Sequence, residues 1–400
     1  MQRTSRALAL LGTLLIVAGV SAPVPAGATF AGSNGNVAFI SICNSAGQAV
    51  YSVDPSGTSS CPGGAAPNYV QSTAGAADSM PYFSSQGTTL YFSSDRGGTN
   101  AIYQVPYPAT ISGTAPNQTD GATQLTTPGT SNDYAPTVSA DGSELSFIRC
   151  NSGNTSCALY VQSPIVGGTP TLVPTAVPVL QPNSVSGSAS RPEIDPTDPS
   201  QILYVGTDNH IHLVSIASPP AFSDTDLSQL SGITSGQIDE YPDWNPAGSN
   251  IIFDRSHSVY VFYGINPTAS TPSVSACALW GASDPGTEIE PIYAPADTAT
   301  ASSSTCNPAG NQYVWTKLGG GSNIIVDMGH TVGNPDTLGS LTANKSNNSQ
   351  PAWQPLSPGE GTPEVPMAIL LPGAGVLLLG GAFALDRRRK RHAVEVAGVA

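Results

Sequence analysis

Four acidic residues occupy the same place in a phrase that recurs along this chain, three positions before a proline. The set consists of Asp78, Asp133, Asp239 and Glu288. Carboxylates that converged on one point would favour a hard cation such as Ca²⁺, which takes roughly six to eight oxygen ligands. The alternative is that each acid caps a turn by accepting backbone N–H groups, as aspartate commonly does. Ala189 and Asn348 interrupt the series in the two remaining copies of the phrase.

Other residue types give weaker indications of a metal site or a catalytic site. His210 and His212 alternate along one predicted strand and could present two imidazoles on the same face, as a metal site would require. His212, however, takes the place that a tyrosine has in other copies of the phrase, which favours a packing role; those tyrosines are Tyr103, Tyr160 and Tyr260. Asp95 and Arg96 are expected to form a local ion pair in a hairpin turn. A serine hydrolase of the α/β type would carry G-x-S-x-G, which the sequence lacks. We therefore expect no catalytic residue and no cofactor beyond a possible Ca²⁺ ion.

The phrase itself indicates the architecture. Its proline recurs six times, 49 to 60 residues apart, at Pro81, Pro136, Pro192, Pro242, Pro291 and Pro351. Each copy continues through a turn rich in Gly, Asp and Pro into short runs of β-branched and aromatic residues, such as Leu90-Tyr91-Phe92. Such runs are typical of an all-β fold, and a period of this size indicates one repeated unit of several strands. Four short strands in each unit predict a six-bladed β-propeller.

The two ends of the repeat region complement each other. The last copy provides only an inner strand, at residues 350–355, whereas the outer part of a blade begins at Gly35. We therefore expect the N- and C-terminal strands to share one blade and close the ring, which leaves no open sheet edge. The phrase resembles the repeat of TolB-type six-bladed β-propellers, most clearly in the copies Asp78 to Tyr103, Asp133 to Tyr160 and Asp239 to Tyr260. That resemblance covers roughly residues 33 to 356 and implies a ring with a central channel.

The N-terminus predicts export. Residues 1–28 combine Arg3 and Arg6 with an apolar run and a small-residue pattern at Ala26-Gly27-Ala28, as a secretory signal peptide does. The propeller is then expected over residues 29–356, followed by a Pro- and Gly-containing linker over 357–364.

The C-terminal segment predicts membrane anchoring. Residues 365–385 carry no charge and are long enough to cross a bilayer as a helix. The basic tail at 386–400 is expected to stay in the cytoplasm, which leaves the propeller outside. The order of proline-containing motif, apolar span and arginine cluster loosely resembles bacterial sorting signals of the PEP-CTERM or sortase type.

The six cysteines fit an exported protein, because an even number in an oxidising compartment usually means disulfides. Sequence alone allows fifteen pairings. Pairing of nearest neighbours predicts three bonds: Cys43–Cys61, Cys150–Cys157 and Cys277–Cys306.

The charge balance excludes one class of partner. Between residues 29 and 356 there are 23 acidic residues against six basic ones. A nucleic-acid partner is not expected, because phosphate binding needs a basic face. We expect instead a membrane-anchored, non-catalytic propeller at the cell surface that binds an extracellular or periplasmic protein, a peptide or a cell-wall glycan. The alternative is a metal-dependent propeller hydrolase or lactonase with a cation in the central channel.

Overall fold

The computed structural model describes residues 31–41, 48–53, 69–70, 76–107, 121–182, 191–216, 223–267, 272–279, 288–296, 301–302, 306, 312–317, 323–328, 339–340 and 349–356. Within these ranges the chain forms short antiparallel strands grouped into four-stranded sheets, and one helical turn. The predicted signal peptide (1–28), linker (357–364), membrane span (365–385) and tail (386–400) lie outside the described residues.

The first half of the chain provides strands for three complete sheets and part of a fourth. Strands β1 (Ser33–Ser41), β2 (Ala49–Val53) and β3 (Tyr69–Val70) belong to the blade that the C-terminus completes. Blade 1 comprises β4 (Asp78–Phe83), β5 (Thr89–Ser94), β6 (Ala101–Pro106) and β7 (Thr123–Gln124). Blade 2 comprises β8 (Asn132–Val138), β9 (Leu145–Cys150), β10 (Cys157–Ser163) and β11 (Thr169–Leu172). Blade 3 comprises β12 (Glu193–Ile194), β13 (Gln201–Val205), β14 (Ile211–Ser215) and β15 (Ser223–Asp226), and is followed by the turn α1 (Leu227–Leu230).

The second half of the chain completes the ring. Blade 4 comprises β16 (Asp239–Trp244), β17 (Ile251–Arg255), β18 (Val259–Asn266) and β19 (Ser273–Ala278). Blade 5 comprises β20 (Glu288–Tyr293), β21 (Gln312–Lys317), β22 (Asn323–Met328) and β23 (Gly339–Ser340). Strand β24 (Ser349–Leu356) pairs with β1 and so joins the N-terminal strands in blade 6, as the sequence predicted for the two ends.

Apolar packing lies between neighbouring blades. Each sheet presents alternating apolar residues to the sheet on either side, and the described core divides into one cluster at each interface. Phe83, Leu90 and Phe92 of blade 1 pack against Ala38 and Ile40 of blade 6, for example. Burying side chains of this size stabilises the fold by about 1.5–3 kcal/mol each, so the closed ring is held mainly by the inner and second strands.

The inner strands contain a β-bulge at the proline of the phrase. Pairing with the second strand shifts register there, because proline has no N–H to donate to a ladder. The residue directly before the proline has a positive φ of 52° to 57° in five blades; these residues are Met80, Ala135, Tyr241, Glu290 and Gln350. Positive φ is uncommon for residues other than glycine and costs about 1–3 kcal/mol. Such strain often marks functional positions.

The prediction of a six-bladed propeller is wrong in its count of full blades. Five blades have the full inner strand with its bulge, whereas β12 of blade 3 is two residues long. β12 ends two residues after its proline, as the inner strands of blades 1, 2, 4 and 5 do, but begins only at Glu193. It therefore lacks the part of the strand in which the other blades carry the bulge.

The single C-terminal transmembrane helix that the sequence predicts is not part of the described fold. Within the residues that the structure describes, no helix is long and apolar enough to cross a membrane.

Candidate functional site

The bulges of the inner strands aim their side chains at the centre of the ring. There they line a small cavity together with the neighbouring prolines. The lining residues come from blades 1, 3, 4, 5 and 6: Met80, Arg191, Tyr241, Pro242, Glu290, Ile292, Gln350 and Pro351. Four of the five positive-φ residues are in this set. The strained backbone therefore serves to turn these side chains toward the channel.

Hydrogen bonds pass from blade to blade around this cavity. The Glu290 carboxylate accepts the Gln350 N–H at 2.5 Å, and the Gln350 side-chain oxygen accepts the Met80 N–H at 2.7 Å. The Ser93 hydroxyl of blade 1 then accepts the Ala135 N–H of blade 2 at 3.0 Å. These bonds satisfy backbone donors that the bulge removes from the sheet ladder, so they fix the geometry of the channel wall.

Blade 3 contributes a cation instead of a bulge. Arg191 lies two residues before β12, is buried, and donates from one terminal nitrogen to the Pro81 carbonyl of blade 1 at 3.1 Å. Its guanidinium lies over the Tyr82 ring, 5.8 Å from the centroid. Its Nε atom is 3.7 Å from the Glu193 carboxylate, which is too long for a hydrogen bond. Within the described residues, the remaining N–H groups of Arg191 have no hydrogen-bond acceptor.

The two carboxyl groups near Arg191 are disposed toward the neutral form. Burial, and secondarily the Asp243 charge, raise the pKa of Glu193 well above its ordinary value although Arg191 opposes the shift. Burial also raises the pKa of Glu290, against hydrogen bonds from Thr316 and Gln350. The cavity combines an apolar wall with the buried Arg191 guanidinium and the Glu290 carboxyl group.

The predicted acidic residues occupy their own blades. Asp78, Asp133 and Asp239 are fully buried, and each forms an ion pair with an arginine of the second strand or the turn after it. The pairs are Arg96–Asp78 at 3.0 Å, Arg149–Asp133 at 2.6 Å and Arg255–Asp239 at 2.6 Å. Each guanidinium also lies about 5 Å above aromatic rings of the same blade, such as Phe92 and Tyr103 for Arg96.

In the described structure, the ion-pair partners of Asp78, Asp133 and Asp239 are arginines. The structure pairs each acid with an arginine 16 or 18 residues further along the chain, not with another acid of the series. The backbone of Glu288 pairs with that of Lys317, and the side chain of Glu288 lies outside the described part. Cation binding by the series stays a prediction. Arg96 does not bind Asp95, whose carboxylate accepts the Ala77 N–H instead.

Two of the predicted disulfides are confirmed. Cys150–Cys157 links β9 to β10 at paired positions of the hairpin, and Cys277–Cys306 ties β19 to the insertion within blade 5. Cys43 and Cys61 lie outside the described residues.

The channel residues were missed by the sequence interpretation, although a signal was available. Met80, Tyr241, Glu290 and Gln350 each directly precede the proline of the phrase, and Arg191 holds the same place in blade 3. A residue before proline resists the helical region. Its polar or bulky identity in five of the six copies, with Ala135 as the exception, is therefore the pattern that marks the channel wall.

Solved structures share this ring of blades. TolB from Acinetobacter baumannii aligns with a TM-score of 0.51 and 14% identity, over 80% of this chain and 67% of that one. The fold is that of a TolB-like β-propeller. The putative TolB from Agrobacterium tumefaciens aligns over 81% of this chain and 99% of its own length, with 14% identity and a TM-score of 0.44. A chain of a nidogen/laminin complex aligns over 80% and 99%, with 7% identity and a TM-score of 0.47. No protein-family model matches the sequence, and no curated protein sequence matches it. Identities this low establish the TolB-like fold alone.

Proposed function

We propose that this TolB-like propeller is an exported, membrane-anchored, non-catalytic binding module at the cell surface, and that its channel mouth takes a carboxylate-bearing peptide or protein segment. The observation that carries the proposal is Arg191. It is a buried guanidinium in a concave cavity; within the described residues it forms one hydrogen bond, to the Pro81 carbonyl, and its Nε atom lies 3.7 Å from the Glu193 carboxylate. A ligand carboxylate is the group that matches a guanidinium in shape and charge.

The rest of the cavity favours a ligand with an apolar body. Met80, Pro242, Ile292 and Pro351 contribute apolar surface, while Gln350 adds a polar group. Recognition sites commonly combine such walls with a few polar groups that orient the ligand. Because acidic residues outnumber basic ones across the propeller, Arg191 is also the feature that would attract an anionic group to this mouth.

Export and anchoring rest on independent support. Two disulfides fit an oxidising compartment, where such bonds persist. The signal-peptide pattern and the uncharged span of residues 365–385 supply the sequence argument. Membrane fractionation and N-terminal sequencing of the native protein test this part. A chain that begins after Ala28 and needs detergent for release supports it, whereas an intact N-terminus in the soluble fraction contradicts it.

The binding proposal is tested with a displayed peptide library in which each selected peptide is remade with its carboxylates amidated. We expect amidation of one carboxylate, or Arg191→Gln, to weaken binding by about 1.5–3 kcal/mol, the range for a hydrogen bond to a charged group. Arg191→Lys keeps the charge but loses the fork of donors, so we expect an intermediate loss. Thermal unfolding of each variant serves as the folding control. Selected peptides that bind wild-type and Arg191→Gln equally would exclude this mode of recognition.

A further inference from the structure

Blade 3 carries a cluster of imidazole and carboxylate groups on one face, away from the channel site. His212 of β14 is directly opposite Tyr204 of β13 and Asp226 of β15 in the strand register. His210 and Asp224 lie two residues from these positions, so strand alternation places their side chains on the same face. Asp208 lies in the turn between β13 and β14, and its carboxylate contacts the His212 ring on the same face.

The spacing of the cluster matches ligands around one small metal ion. His212 Nε2 lies 3.1 Å from an oxygen of Asp208, and His210 Nδ1 lies 2.7 Å from an oxygen of Asp226. Ligand atoms of Asp208, His212 and Asp226 all lie within 4.8 Å of one another. Two ligands on a tetrahedral ion with bonds of about 2.0–2.1 Å are roughly 3.3 Å apart. The cluster needs only small side-chain shifts to reach that geometry.

Two further features point to a ligand. His212 is nearly fully buried, and its Nδ1 atom bonds the Asp224 carboxylate at 3.0 Å, which fixes the ring with Nε2 toward Asp208. A carboxylate behind the ring is the arrangement that orients histidine ligands in metal sites. Gly206 supplies space, because a Cβ atom there would lie 2.4 Å from Asp208 Oδ1 and 3.2 Å from His212 Nε2.

We propose that Asp208, His210, His212 and Asp226 bind a first-row divalent transition metal ion, for which Zn²⁺ is the best match. Imidazole ligands suit Zn²⁺, Cu²⁺ or Ni²⁺, whereas Ca²⁺ and Mg²⁺ select sites made of oxygen alone. Two nitrogens and two carboxylates complete a four-coordinate set. The ion would join the β13–β14 turn to the start of α1, where Asp226 caps the helix by accepting the Gln229 N–H.

Titration of the purified, chelator-stripped full chain with ZnCl₂ in a calorimeter tests the proposal, with CoCl₂ absorption as a readout of tetrahedral geometry. We expect one ion per chain and a rise in melting temperature with Zn²⁺. His212→Tyr installs the residue found in other blades, and Asp208→Asn removes a partly exposed ligand; each is expected to weaken binding at least tenfold. Asp224→Asn, which acts through His212, is expected to weaken binding about 10- to 100-fold.

The matched control is His257→Asn in blade 4, because His257 lies beside Asp254 in a second histidine–aspartate pair. It should leave the Zn²⁺ affinity unchanged. If His212→Tyr fails to fold, the Zn²⁺ affinity of Asp208→Asn tests the proposal instead, because the Asp208 side chain is 34% exposed and contributes little to packing. Absence of saturable one-to-one binding by the wild type, or equal affinity in Asp208→Asn, would overturn the proposal.

Discussion

Blades 3 and 4 begin with the same proline-containing phrase, but different side chains pack against the aromatic residue of the second strand. In blade 4 the Arg255 guanidinium lies over Phe253 and Tyr260 and forms two hydrogen bonds to the buried Asp239 carboxylate. In blade 3 the ring of His212 stacks on Tyr204 with centroids 5.0 Å apart, and Gly206 stands where the arginine would be, two residues after the aromatic. Ala189 takes the place of the aspartate in the sequence.

The comparison shows how the charges at equivalent positions of the two blades are balanced. Blade 4 pairs one permanent cation with one buried anion, so the charges of Arg255 and Asp239 balance each other within the blade. Blade 3 lost both partners and gathered Asp208, Asp224 and Asp226 around two imidazoles. Its carboxylates outnumber its histidines even when both rings are protonated. A divalent cation would reduce the negative charge of the three carboxylates when the rings are neutral, whereas Arg255 and Asp239 of blade 4 already balance each other.

The largest expected effect comes from breaking the blade 4 pair. Asp239→Ala leaves the Arg255 guanidinium, which is 6% exposed, buried without its counter-ion. We expect a loss of about 3–5 kcal/mol in the free energy of unfolding. Denaturant unfolding measures it, provided that the slope is unchanged from wild type.

Two variants sharpen that test. Asp133→Ala in blade 2 should cost less, because Arg149 is 20% exposed and water can solvate the remaining charge. The double variant Asp239→Ala/Arg255→Leu removes both charges and should recover part of the loss. A loss below about 1 kcal/mol for Asp239→Ala would show that these pairs contribute little.

The next effect concerns Glu240, which follows Asp239 in β16 but pairs with no described arginine. Burial, then the Asp254 charge, raise its pKa to about 7, and His257 opposes the shift. The folded state therefore holds this proton between about pH 4.5 and 7 while the unfolded state releases it, so stability falls as the pH rises. We expect Glu240→Gln to gain about 3 kcal/mol relative to wild type between pH 4 and pH 8.

Unfolding at several pH values checks this sign and size. Asp254→Asn is the useful companion variant, since removal of that charge should lower the pKa of Glu240. The decline in stability should then end at a lower pH and be smaller than in wild type. A stability difference between Glu240→Gln and wild type that does not change with pH would contradict the role of Glu240.

The period of the proline phrase was sufficient to predict the ring and its closure, because strand alternation and turn chemistry are local properties. The pairing of each aspartate with an arginine was not predictable in this way. Arg96 and Asp78 are 18 residues apart and meet only when two strands align, so the neighbouring Asp95 was the obvious but wrong partner. The short β12 was also missed, since the proline spacing is the same whether the inner strand begins before or after the proline.

The candidate sites depend still more on three-dimensional context. Arg191 reaches from blade 3 to Pro81 of blade 1, a contact that no spacing within one repeat can indicate. For His212 the sequence correctly indicated the tyrosine slot, where the ring stacks on Tyr204. It gave no sign of Asp208 and Asp224, because those residues come from a turn and an outer strand of irregular spacing.

The smallest effect comes from exchanging the slot residues themselves. Tyr260→His in blade 4 replaces the larger ring below Arg255 and should cost about 1 kcal/mol, the scale of one cation–π contact. His212→Tyr in blade 3 has no arginine to stack against, so in metal-free buffer we expect a smaller change. Unfolding at pH 8, where both imidazoles are mostly neutral in the unfolded chain, makes the two exchanges comparable. Equal losses would mean that ring size alone governs the slot, whereas a larger loss in blade 4 would identify the arginine as the reason that tyrosine recurs there.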